Sequence, residues 1–125
     1  MREIKFRAWD TFKQIWSNYK INDGTVYFMD KNTGVWYGSY NKRYKDFNLI
    51  QYTGLKDEYG DEIYEGDIVT LHNSKYKVIF NSKEARFVLK DPFFEMDIPF
   101  TNNNNERMEI VGNIYENPEL IKEVR

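Results

Sequence analysis

The stretch from Gln51 to Val69 constrains this chain most, because it sets two sharp reversals between short apolar runs. It reads Gln-Tyr-Thr-Gly-Leu-Lys-Asp-Glu-Tyr-Gly-Asp-Glu-Ile-Tyr-Glu-Gly-Asp-Ile-Val. Asp57-Glu58-Tyr59-Gly60 has the form of a type I turn closed by a left-handed glycine, a common three-residue hairpin loop. It joins a strand ending near Leu55 to one at Glu62-Ile63-Tyr64. Glu65-Gly66 bends the chain again, and Asp67 to Leu71 leaves as a new strand. The fold class that follows is antiparallel β.

The flanking sequence continues the pattern. Ile4, Phe6 and Ala8 alternate with Lys5, Arg7 and Trp9, the period of a half-buried strand. Gln14-Ile15-Trp16 returns as the second arm of a hairpin. Asn22-Asp23-Gly24 is a turn signal before the strand Thr25 to Met29, since Asn and Gly tolerate positive φ. Asp30 to Gly34 turns into a short strand at Val35-Trp36-Tyr37, and residues 41–46 form a charged loop before the strand Phe47 to Thr53. Beyond Leu71, tight turns at Asn73-Ser74 and Asn81-Ser82-Lys83 lead into Tyr76–Phe80 and Ala85–Leu89, an antiparallel meander whose short spacing suggests a small barrel.

Pro92 and Pro99 restrict residues 91–100 to an edge strand or an extended loop. Asn102 to Asn105 form a solvated loop. Met108 to Tyr115 make a final strand with a bulge or close approach at Gly112. Asn117-Pro118 opens a short C-terminal helix, with Asn117 as its cap.

Composition supports a mostly-β fold of coiled antiparallel sheets. Aromatic residues make up 18% of the 125 positions, and their bulk packs well on a pleated surface. The length suits a single domain over 1–125, dividing at 1–53 and 54–125 if two subdomains exist. With no cysteine there are no disulfides, thiolate metal sites or cysteine nucleophiles, which fits a reducing compartment. The opening Met-Arg-Glu-Ile-Lys-Phe-Arg lacks the apolar run of a signal peptide, and no stretch approaches a membrane span. The expected location is the cytoplasm.

The net charge of −2 conceals an asymmetry. Residues 1–50 carry nine Lys/Arg against five Asp/Glu, a balance of +4; residues 51–125 carry nine against fifteen, a balance of −6. An acidic chain is a poor prior for binding duplex DNA. A chain polarised in this way can dock head to tail on a copy of itself, or the split can simply lie over solvated faces.

Three constellations invite a chemical reading. Glu65 and Asp67, with Asp57, Asp61 and Glu62 near them, resemble a metal or acid–base cluster, but their spacing misses the EF-hand loop and turn chemistry accounts for them better. His72 is the only histidine, and no orienting carboxylate or nucleophile can be named for it. The third is the run Val35 to Lys45, where Trp36, Tyr37, Tyr40 and Tyr44 interleave with Lys42, Arg43 and Lys45. Aromatics that stack bases beside cations that track phosphates are the pattern of single-strand nucleic-acid binding; a hairpin with a core tryptophan and a charged tip is the bland alternative. Arg7 and Trp9 share a strand face that would extend such a surface or anchor an oligomer.

Three segments resemble the YopX family of phage and prophage proteins: Met1 to Asp10, Gln51 to Val69, and Ile110 to Leu120. They place both ends and the middle, while residues 11–46 and 91–107 vary. The resemblance implies an SH3-like barrel element, a phage or prophage origin in a bacterial host, and self-association. It implies no activity and no cofactor. The expected function is that of a non-enzymatic accessory protein, working through contacts with itself or with a phage or host protein, and not with a membrane. Arg7, Trp9, Tyr52, Asp57, Glu65, Asp67, Asn113 and Tyr115 are its first candidate positions. The alternative is a single-strand nucleic-acid binder using Trp36 to Lys45.

Overall fold

The computed structural model describes residues 4–91, 97–100 and 107–121. Pro92, the Asn102 to Asn105 loop and the first three residues lie outside them. The chain is mostly β, and it divides into two compact units: Lys5–Gln51, and Met1–Ile4 with Tyr52–Arg125. Among the described residues no helix is long and apolar enough to cross a membrane.

The unit of residues 5–51 is built from two antiparallel layers. In the first, β1 (Phe6–Asp10) lies between β2 (Ile15–Ser17) and the start of β6 (Phe47–Lys56). In the second, β4 (Thr25–Met29) lies between β3 (Tyr19–Asn22) and β5 (Trp36–Tyr37). Asp23 and Gly24, with φ of 52° and 75°, form the two-residue turn that pairs Asn22 with Thr25. Both central residues of such a turn need positive φ, so Asp-Gly suits it. Ala8, Phe28 and Phe47 form the core, with Phe28 and Phe47 stacked at 5.0 Å and 2°.

β1 is a central strand, and both its faces are covered. Trp9, read from the alternation as an exposed ring, is only 4% exposed and meets Trp16 edge-on at 4.8 Å. The charged segment before β6 is a 3-10 helix, Lys42–Asp46, whose first amides are capped by Asn41.

β6 continues past Gln51, and its second half pairs with β7 (Glu62–Tyr64) through a bulge at Gly54, where φ is +90°. β8 (Asp67–Leu71), β9 (Ser74–Asn81) and β10 (Arg86–Lys90) form the expected meander. The five-stranded sheet has the order β11-β10-β9-β8-β12, with β11 at Asp97–Pro99 and β12 at Glu109–Asn113, and it curls as a half-barrel. Pro99 lies in an edge strand, where its missing amide donor disrupts no ladder. The core gathers Ile63, Val69, Leu71, Val78, Phe87, Leu89 and Met108.

The turn between β8 and β9 is made by His72 and Asn73, at φ of 52° and 66°. His72 is therefore a turn residue. β12 has the expected bulge between Ile110 and Gly112. A Cβ on Gly112 would stand 2.6 Å from Asn117 Oδ1, so the backbone does approach closely there. The C-terminal helix is one 3-10 turn, Pro118–Ile121. Its expected cap is corrected: the Asn117 side chain turns back and accepts from the Asn113 amide at 3.3 Å.

Candidate interaction surface

The carboxylates of the Gln51–Val69 stretch hold the backbone. Asp57 Oδ1 accepts the amides of Tyr59 and Asp61 at 3.0 and 2.9 Å, and Oδ2 accepts that of Ile110 at 3.2 Å. The side chain thus closes its own turn and ties it to β12. Asp67 Oδ2 accepts the Tyr64 amide at 2.8 Å across the Gly66 bend. Asn113 Oδ1 accepts from Tyr115 and Glu116. The Tyr115 ring covers Gly66, where an added Cβ would meet Cε2 at 2.8 Å. Tyr52 is buried and packs against Tyr64 at 5.4 Å, while Glu65 is half-buried in the bend. Tyr52, Asp57, Asp67 and Asn113 are thus buried parts of the architecture. An open polar cleft of about 480 Å³ lies nearby, with His72, Lys75, Arg107 and Glu109 on its walls.

The aromatic and basic run Trp36 to Lys45 does not stay together. Arg43 turns inward, donating through Nη1 to Asp10 Oδ1 at 2.9 Å and Asp46 at 3.2 Å, and through Nη2 to Asp10 Oδ2 and to Asp30 at 3.4 Å. Its guanidinium also lies 4.7 Å from the Phe47 ring centre. The Arg43 side chain is 15% exposed, Asp10 1% and Asp30 7%.

Burial pushes the Asp10 carboxyl up. The Arg43 hydrogen bond, the Lys13 and Phe12 amides and the Arg43 charge outweigh it and hold the group below its ordinary value. Asp30 is held down in the same way, against burial, by the Asn32 amide and the charges of Lys13 and Arg43. The hydrogen bonds that Arg43 donates to Asp10 raise the guanidinium in turn. Tyr44 packs on Phe28 at 5.2 Å and Tyr37 joins the same core. Arg43, Tyr44 and Tyr37 are therefore withdrawn from the surface that their sequence positions suggested. For Arg43 and Tyr44 the reason is local, since a 3-10 helix points adjacent residues to different sides; Tyr37 is turned inward by its pairing with Phe28.

What remains outside is reorganised around the second layer. Register places Tyr19, Phe28 and Tyr37 in one row on the core side of the β3–β4–β5 sheet. Lys20, Tyr27, Met29 and Trp36 consequently lie on its opposite face. Lys20 Nζ stands 4.3 Å from the Trp36 ring centre and 5.9 Å from that of Tyr27. The Tyr27 and Tyr40 rings close over Gly38, whose added Cβ would meet them at 2.9 and 3.0 Å. Tyr40 is 87% exposed, and Lys42 and Lys45 are exposed on the 3-10 helix. Arg7 lies 4.1 Å over the Trp16 ring, on the other layer. Lys20 and Tyr27 were missed in the sequence. Their signal was the two-residue Asp23-Gly24 turn, which fixes the register and so the face of every residue in the hairpin.

The model of the YopX protein family matches residues 5–122. No curated protein matches the chain. Among solved structures, the chain is similar to protein EF1440 from Enterococcus faecalis, at 26% identity and a TM-score of 0.69, over 98% of this chain and 100% of that one. It is also similar in fold to yopX from Bacillus subtilis, at 18% identity and a TM-score of 0.57, over all of both chains.

Proposed function

The chain belongs to the YopX family, and on that premise we propose that it is a non-enzymatic accessory protein of phage or prophage, acting in the cytoplasm of a bacterial host by protein contacts and chiefly by self-association. The observation that carries this reading is the way the fold sorts charge. Residues 5–51 hold eight Lys/Arg and four Asp, a balance of +4, and residues 52–125 hold nine Lys/Arg and fifteen Asp/Glu, a balance of −6. In the basic unit Asp10, Asp30 and Asp46 all turn onto Arg43, which leaves Asp23 as the carboxylate outside that network. Opposite fields on two units of one chain favour contact of the basic unit of one copy with the acidic unit of another. The carboxylates a hydrolase would recruit, Asp57 and Asp67, are engaged with backbone amides instead.

Size-exclusion chromatography with light scattering tests this on the full chain at micromolar concentration. The expected mass is a multiple of 15.2 kDa that falls toward the monomer at high salt. A strict monomer at low salt overturns the reading.

A further inference from the structure

We propose that the outer face of the β3–β4–β5 sheet is a binding site for single-stranded nucleic acid, with Trp36, Tyr27 and Tyr40 as base-stacking rings and Lys20 as a phosphate contact. The inference goes beyond self-association; it keeps Trp36 and Tyr40 from the run Trp36 to Lys45, leaves out Arg43, Tyr44 and Tyr37, and adds Lys20 and Tyr27.

The sheet needs only one face for its core, and Tyr19, Phe28 and Tyr37 supply that. The other face nevertheless carries aromatic rings on two adjacent strands, Tyr27 on β4 and Trp36 on β5, with Tyr40 just beyond. Gly38 lets the two tyrosine rings sit side by side, because any side chain there would fill the space they share. The lysine beside them is placed for exchange. Lys20 is exposed and rests on the Trp36 ring at 4.3 Å. A cation over a ring at an exposed site is held more weakly than a stacked base. An incoming base therefore displaces the ammonium from the ring, and the long side chain carries it to the adjoining phosphate.

Charge selects the class of ligand. Residues 5–51 carry a balance of +4, and three of their four carboxylates are turned onto Arg43. A ligand that offers flat rings and a regular row of negative charges satisfies both features. An acidic peptide satisfies Lys20 but leaves the rings without a partner. A duplex keeps its bases stacked on each other and cannot use the rings either.

The experiment is fluorescence anisotropy of a labelled single-stranded oligothymidine titrated with the full chain, between about 50 and 200 mM salt. Binding is expected at low salt and should weaken steeply as salt rises. Tyr40→Ala, at a ring already 87% exposed, and Trp36→Ala should each lower affinity about tenfold. Lys20→Ala should reduce the dependence of log affinity on log salt by about one. Lys75→Ala, in the other unit, should change neither. Tyr40 and Lys20 are both exposed, so these two variants keep the test valid if Trp36→Ala unfolds. The proposal is overturned by an absence of binding at low salt, or by unchanged affinity in both Tyr40→Ala and Lys20→Ala. It is equally overturned if a duplex or polyglutamate competes as well as the single strand, since the face would then recognise charge alone.

Discussion

Two four-residue hairpin loops, one in each unit, solve the same problem with different chemistry. In residues 11–14, Asp10 Oδ1 accepts the amides of Phe12 and Lys13, and Gln14 closes the loop at φ of 56°. In residues 82–85, Asn81 Oδ1 accepts the amides of Lys83 and Glu84, and Ala85 closes the loop at φ of 54°. The turn needs only a side-chain oxygen at its first position, and a neutral amide serves. The negative charge of Asp10 must therefore answer something other than the turn, and Arg43 is that partner. The same contrast separates the units. Residues 5–51 bury carboxylates against a cation, while Asp57 and Asp67 in the other unit are set against backbone amides. Burial of an acid thus says little by itself; its partner decides whether the energy is ionic or conformational.

Removing the cation gives the largest break in that comparison. Arg43→Ala leaves Asp10 buried without its guanidinium and should cost about 3–5 kcal/mol. All three tryptophans lie within residues 5–51, so denaturant unfolding followed by tryptophan fluorescence reads this unit. If amide exchange in β8, β9 and β10 loses as much protection, the two units unfold together.

Leu89→Ala is the counterpart in the other unit. Leu89 is 0% exposed, and truncation should cost about 2–5 kcal/mol, read from exchange protection in β9 and β10. Asp10→Asn should cost less than Arg43→Ala, about 2 kcal/mol, because the turn and the Asp30 and Asp46 contacts survive. Retained Phe12 and Lys13 amide protection would confirm that the turn itself does not need the charge.

The same network sets an acid limit. Asp10 and Asp30 titrate below their ordinary value of 3.8 in the folded chain. Their contribution is present above the unfolded value and is lost as pH falls through the lowered folded values. Tryptophan-reported stability should decline below about pH 4, and less steeply in Asp10→Asn; equal slopes would remove Asp10 from the acid response. The smallest expected effect is a gain. Asn73→Gly, at φ of 66° in a two-residue turn, should stabilise the β8–β9 hairpin by about 0.5 kcal/mol, measurable as a raised unfolding midpoint.

Much of the fold was legible because turns and alternation are local. The Asp57 to Gly60 loop, the Gly66 bend, the meander and the Gly112 bulge all follow from residues a few positions apart. Trp9 was misread because alternation shows which residues share a face but not whether the second face is covered. Of the candidate face, Trp36 and Tyr40 were legible, while Lys20 and Tyr27 needed the hairpin register. Arg43 and Tyr44 were misplaced because interleaving in sequence does not set direction in a 3-10 turn.

By itself the sequence determined an antiparallel β chain with fixed bends, a polarised charge and family membership, all properties carried by neighbouring residues or by sums. Tertiary structure alone decided that Asp10, Asp30, Asp46 and Arg43 would meet, and which aromatics would face outward. Asp10 and Arg43 stand 33 positions apart, and only the folded layers bring them within hydrogen-bond reach. The strand register, in turn, leaves Lys20 and the Trp36 ring together on the opposite side of the sheet from the core.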